Sequence, residues 1–203
     1  KYALAPFIES LANYDLQLAY YAPRTDRIRP YVKFGLATGG YRTDNTSVDL
    51  RHETVNFGLG LILNTSSQIR ASLNFFEFQK ENNWEVFQRD NLFGYFDKKM
   101  ISSGLDIDWF PGNNQEFRLK AFVYAIKANN SRAFEVNTSG YMSSSNINVD
   151  DFQLSEIAFQ IRYKYEFSPL SNLYVVYTRG GKSSGELQDS FDGLYANAWN
   201  KQT

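Results

Sequence analysis

The chain has 203 residues, enough for one domain with a sizeable core, and 21 Lys and Arg against 22 Asp and Glu leave a formal net charge of -1. Positions 1 to 100 carry 12 basic and 11 acidic residues, so neither half is polarised, and a nucleic-acid partner is excluded on charge grounds. The absence of cysteine rules out a disulfide frame or thiolate chemistry, and a single histidine rules out a His-rich metal site.

No stretch resembles the roughly 20 apolar residues of a membrane-spanning helix. The longest uncharged segment, Thr54 to Ile69, contains the polar run Asn64, Thr65, Ser66, Ser67 and Gln68. Position 1 opens without a basic segment followed by an apolar one, so any secretion signal is expected to lie upstream or to have been removed. What the composition does favour is strands, since 17 Phe and 14 Tyr are pleated-sheet residues.

Eight strands are predicted in chain order, at about 7–22, 28–40, 52–64, 67–79, 98–110, 115–127, 152–167 and 172–181. In the third, Val55, Phe57, Leu59, Leu61 and Leu63 alternate with Asn56, Gly58 and Gly60. In the fifth, Ile101, Ser103, Leu105, Ile107 and Trp109 alternate with Gly104, Asp106 and Asp108. The seventh is clearest: Ile157, Phe159, Ile161, Tyr163, Tyr165 and Phe167 against Ala158, Gln160, Arg162, Lys164 and Glu166. A period of two separates an apolar face from a polar one in each, which a helix would mix.

The connections alternate in length. Short ones, at Pro23 to Arg27, Asn64 to Ser67, Pro111 to Asn114 and Ser168 to Ser171, consist largely of turn-forming residues. Long ones fall at Gly40 to Arg51, Lys80 to Asp97, Ala128 to Asp151 and after Gly181. Such sorting, with strands of ten residues or more, is the pattern of an antiparallel up-and-down transmembrane β-barrel in a bacterial outer membrane. A soluble sandwich has shorter strands and no reason to sort its loops.

Aromatic girdles are expected at both rims of such a barrel. Tyr20, Tyr21, Tyr31, Trp109, Phe110, Phe117, Phe167 and Tyr174 lie near the short turns, and Phe7, Tyr41, Phe75, Phe76, Phe78 and Phe152 near the long loops. If short turns are periplasmic, the first strand runs down and the eighth runs up, whereas a complete barrel has both termini on the periplasmic side. Residues 1–203 are therefore expected to be a single segment of a larger barrel lacking at least one strand at each end. The segment Ser183 to Thr203 is then an outside loop leading to an absent closing strand.

Two phrases carry a family resemblance: Asp106, Ile107, Asp108, Trp109, Phe110, Pro111, Gly112 with Phe117, Arg118, Leu119, and the run Tyr163 to Tyr177 containing Glu166, Phe167, Ser168, Pro169. They resemble the C-terminal barrel of Bacteroidetes outer-membrane proteins that carry a carbohydrate-binding-like domain in front, a family of unknown function. The resemblance covers roughly the second half and implies an outer-membrane location; it supplies no catalytic residue.

Face and register can be read around Pro111 and Gly112, where pairing that keeps apolar residues together sets Trp109 opposite Phe117. Asp108 then faces Arg118 and Asp106 faces Lys120. The same rule in the last hairpin pairs Phe167 with Leu173 and Tyr163 with Tyr177. Asp106, Asp108, Arg118, Lys120, Arg162, Lys164 and Glu166 would line the lumen, either as a wet wall for polar solutes or as a structural ion-pair network.

Two further clusters are candidates. His52 begins the third strand near Asp44, Ser47, Asp49 and Glu53, the residue types from which a hydrolase or acyltransferase builds a base and its orienting acid. No serine elbow accompanies it. Trp84, Phe87, Phe93, Tyr95 and Phe96, set among Asn82, Asn83, Asp90 and Asn91, suit stacking on a sugar or a partner surface, or simply continue the strands and pack on one another. Asp26, Asp97, Asp150 and Asp151 lack the spacing of a calcium loop, and no metal or cofactor is expected. The expected function is non-enzymatic, the passage, docking or capture of a polar solute, glycan-related in one version, with the lipid bilayer of an outer membrane and a glycan or a protein at the outside loops as partners. The alternatives are an enzyme centred on His52 and a soluble β-sandwich binding module.

Overall fold

A computed structural model of the chain describes residues 12–23, 27–41, 43, 50–138, 140–185 and 191–200. Its elements are β1 (Tyr14–Tyr21), β2 (Ile28–Gly40), β3 (Arg51–Ser66), β4 (Ile69–Arg89), β5 (Leu92–Gly112), β6 (Gln115–Val136), β7 (Met142–Ser144), β8 (Phe152–Ser168), β9 (Ser171–Gly185) and a helix, α1 (Phe191–Asn200). The strands form one antiparallel sheet in the order β1-β2-β3-β4-β5-β6-β8-β9, with β7 paired to β6. Every long strand neighbours the next long one in sequence, the up-and-down meander expected. The sheet is open, with β1 and β9 as its edges.

Register carries the period-two pattern across the sheet. Leu61, Leu73, Leu105, Ala121 and Phe159 are successive cross-strand partners, so the apolar residues of five strands share one face. Val32, Phe34 and Leu36 join that face opposite Leu59, Phe57 and Val55. Leu59 and Phe159 do not converge in a buried core: both are half-buried, and Leu16, Phe57, Val175 and Tyr177 on the same face are exposed.

The long connection expected at Lys80 to Asp97 is instead a continuation of β4 and β5, closed by a tight turn at Asp90 and Asn91. Two bulges let the ladders run on, at Asn83 (φ 56°) in β4 and Asn130 (φ 54°) in β6. Asparagine is the residue other than glycine that most readily takes such a backbone. The extension carries the buried hydrophobic cluster of Leu50, Tyr95, Phe134, Val136 and Met142, against which Tyr41 and Phe93 pack.

The expected loop at Ser183 to Thr203 is also corrected. β9 runs on to Gly185, and residues 191–200 form α1, which packs on β6, β8 and β9. Lys127 Nζ lies 4.9 Å from the Phe191 ring and the Arg179 guanidinium 4.2 Å from the Trp199 ring, so a cation anchors each end. Arg179 also donates to the Trp199 carbonyl at 3.0 Å. Between these anchors the row Ala125, Ser155 and Ser183 is buried and small, which lets a helix lie close.

The girdle is only partly as expected. Tyr20, Trp109 and Phe117 lie on the apolar face, but Tyr21, Tyr31, Phe110 and Tyr174 lie on the polar one, because register leaves every second residue there. Phe76 and Phe78 stack on the apolar face, 6.4 Å between centroids. Phe7 falls outside the described residues, as do residues 8–11 of the first predicted strand.

Candidate functional site: the polar face and the extended end of the sheet

The hairpin about Pro111 and Gly112 has the expected register: Trp109 opposite Phe117, Asp108 opposite Arg118, Asp106 opposite Lys120. Lys120 Nζ lies 3.4 Å from Asp106, and Arg118 Nε 3.5 Å from Asp108. Trp109 and Phe117 meet edge-on at 6.2 Å on the apolar face.

The last hairpin is shifted by two from expectation. Tyr165, not Phe167, faces Leu173, and Ile161, not Tyr163, faces Tyr177. The cause is the two-residue turn between paired Ser168 and Ser171, which leaves Phe167 unpaired as a bulge. Since the shift is even, no residue changes face, and Arg162, Lys164 and Glu166 stay with Asp106 and Asp108 on the polar side.

Charges on that face form a continuous row near the short turns. Arg70 pairs with Asp108 at 3.7 Å, Arg118 lies between Asp108 and Glu116, and Arg162 reaches Glu116 at 2.7 Å. The row spans β4, β5, β6 and β8. Glu116, opposite Lys164, is its central anion and escapes a reading that starts the sixth strand's pattern at Phe117. Its position one residue before that pattern was the available signal.

At the other rim, Lys98 Nζ sits 2.5 Å from Glu81 and 4.8 Å from the Trp84 ring. Trp84, Phe96 and Phe152 pack together, with Phe96 and Phe152 edge-on at 5.1 Å. Phe87 and Phe93 pack edge-on at 5.5 Å, and Tyr95 packs on Phe134 at 5.2 Å. Tyr95 and Phe96 are buried, so their rings meet protein on all sides; Phe87 is exposed. This is the strand-continuing, self-packing form of the cluster.

His52 lies half-exposed on β3 opposite Gly39. Asp44, Ser47 and Asp49 fall outside the described residues, and so does Asp26. Glu85, far from His52 in sequence, lies within electrostatic range of it. Tyr95 donates to Glu85 at 2.9 Å, and Tyr41 donates to it as well. Burial pushes the Glu85 carboxyl above its ordinary value, partly offset by the two tyrosines and His52. Burial, then Glu85 itself, raises both tyrosines. This is a polar knot inside the rim's packing.

The remaining acidic candidates are engaged. Asp97 accepts from Asn130 at 2.7 Å, Asp151 from the Ser131 amide at 2.9 Å, and Asp150 from Asn148 at 2.9 Å. No group of three metal-ligating side chains occurs among the described residues, and none of their helices is long and apolar enough to span a membrane. No family model, curated protein or solved structure matches the chain.

Proposed function

We propose that the sheet belongs to a transmembrane β-barrel of a bacterial outer membrane, its apolar face toward lipid and its polar face lining the interior, with a non-enzymatic role in docking, capture or passage of a polar solute. One observation carries this: large apolar side chains on one face, from Leu16 and Phe57 to Val175 and Tyr177, are exposed, while the other face holds an ion-paired row. Leaving such side chains in water forgoes about 1.5–3 kcal/mol each, and contiguous apolar surface of that extent marks an interface with lipid or protein. The open edges β1 and β9 are then covered by further strands, since exposed ladders invite aggregation. The Bacteroidetes resemblance of the Asp106–Gly112 and Tyr163–Tyr177 phrases agrees with this reading.

In lipid vesicles Leu59→Arg should destabilise the protein by about 2–4 kcal/mol and Asn56→Arg by little. Equal costs would oppose the lipid assignment. For the solute, alternating fixed charges such as Arg118 and Asp108 neutralise one another, which suits a structural network more than a selective channel. Planar-bilayer recordings of the protein should therefore show no steady conductance altered by Arg118→Ala; such a conductance would make the row a conducting wall.

A further inference from the structure

We infer, on the reading that the polar face is the solute-facing side, that it carries a carbohydrate subsite built on the ring of Phe122, which takes one face of a neutral pyranose.

Seven residues form a single cross-strand row on the polar face: Tyr31, Gly60, Asn74, Gly104, Phe122, Ala158 and Gly180. Its two large rings have different fates. Tyr31 lies over Gly60, where any added side chain would strike the ring, and it is 8% exposed. Phe122 sits between Gly104 and Ala158, with Gly180 beyond, and is 46% exposed in the middle of the sheet.

The open space around Phe122 is not demanded by the fold. A Cβ on Gly104 would meet Phe122 Cδ2 at 3.9 Å, and one on Gly180 would meet only the Ile157 carbonyl oxygen at 3.8 Å, both ordinary contacts. Neither glycine has a positive φ. Glycine weakens a strand interior and marks a bulge, a bend or close approach of a ligand; a bulge in β4 adjoins Gly104, but no register shift lies at Gly180, where the open space suits a ligand. The result is a depression of about 570 Å3 floored by Phe122 and Ala158.

Polar groups border this floor on both sides, two residues along each strand and so about 6.6 Å away. One border is Asp106, Lys120, Gln160 and Thr178. The other is Tyr124 and Glu156, joined by a 2.9 Å hydrogen bond, with the Tyr124 ring 5.5 Å from that of Phe122. An apolar disc flanked by hydrogen-bonding groups matches a pyranose, whose C–H face stacks while its rim hydroxyls point outward. The Asp106–Lys120 pair balances charge on the first border and the second sets Glu156 directly opposite Lys182, so neither side carries a net charge, which suits a neutral sugar better than an anion.

The test is saturation-transfer NMR and calorimetry on the full chain in detergent micelles, with maltohexaose, cellohexaose and xylohexaose as probes. At least one should bind, and Phe122→Ala should weaken it about tenfold, as loss of one stacking platform does, while Phe122→Tyr retains it. Gly180→Leu, which fills the depression without altering the ring, should also abolish binding. Absence of transfer to all three sugars, or binding that survives both Phe122→Ala and Gly180→Leu, would overturn the subsite. Heat-modifiable gel mobility and vesicle insertion of the same protein separate the two readings. Inserted protein that binds no sugar refutes the subsite alone, and sugar binding at Phe122 by protein that does not insert refutes the barrel alone.

Discussion

Arg118 stands directly across the β6–β8 ladder from Arg162, and the two guanidiniums share the carboxylate of Glu116. Like charges at directly opposed positions destabilise a sheet, so this pairing depends on the acid one row below it. Asp108, which also reaches Arg118, gives partial support from β5.

Removing that acid is the first prediction. Both arginine side chains are more than a third exposed, so solvent screening keeps the effect modest. Glu116→Gln should cost about 1 kcal/mol at low salt, and a second change, Arg162→Gln, should recover part of it. Urea unfolding of the four proteins in a double-mutant cycle measures the coupling; strict additivity would show that Glu116 does not mediate between the arginines.

A pH dependence follows from Glu85. Its carboxyl is raised in the folded protein, so folding is penalised wherever that group is ionised, and the penalty disappears as pH falls through the raised folded value toward the ordinary carboxyl range. Stability of the rim should therefore rise on mild acidification from neutrality, before other carboxylates protonate. Glu85→Gln should remove that rise and leave stability at neutral pH unchanged or higher. Hydrogen exchange at the Tyr95 and Phe96 amides across pH 5 to 8 reads it, and a wild-type profile that falls on acidification would contradict it.

Leu170 has φ 65° and is almost fully exposed at the β8–β9 turn. A left-handed backbone costs a leucine about 1–2 kcal/mol. Leu170→Asn should stabilise the protein by up to about 1 kcal/mol, and denaturant midpoints compare the two. A loss of stability would mean that the turn has another geometry.

Legibility in the sequence followed periodicity. The strict alternation of Ile157 to Phe167 made the faces readable, and that of Leu105 to Trp109 against Phe117 to Ala121 the Trp109–Phe117 register, because a one-residue slip there would move charge onto the apolar face. Where polar residues broke the period, at Lys80 to Asp97, a loop was expected although the strands continue; Asp90 with Asn91 was the turn signal. Phe191, Tyr195 and Trp199, spaced by four, carried the period of α1, which strand alternation elsewhere obscured. Glu85 lies 33 positions beyond His52 in sequence, so only the meander brings them into range. The Phe122 depression depends on three register pairings at once, and no local pattern shows it.

The absence of native cysteine makes β3 suited to the most direct test of the two-faced sheet. Single cysteines at positions 54 to 63 other than Gly60, whose place is filled by the Tyr31 ring, spin-labelled in lipid vesicles, report oxygen and water-soluble nickel accessibility at each residue. Oxygen accessibility should peak at Val55, Phe57, Leu59, Leu61 and Leu63, and nickel accessibility at Thr54, Asn56, Gly58 and Ile62, a period of two in opposite phase. Accessibilities without that alternation, or odd positions shielded from both probes, would contradict a lipid-facing apolar surface.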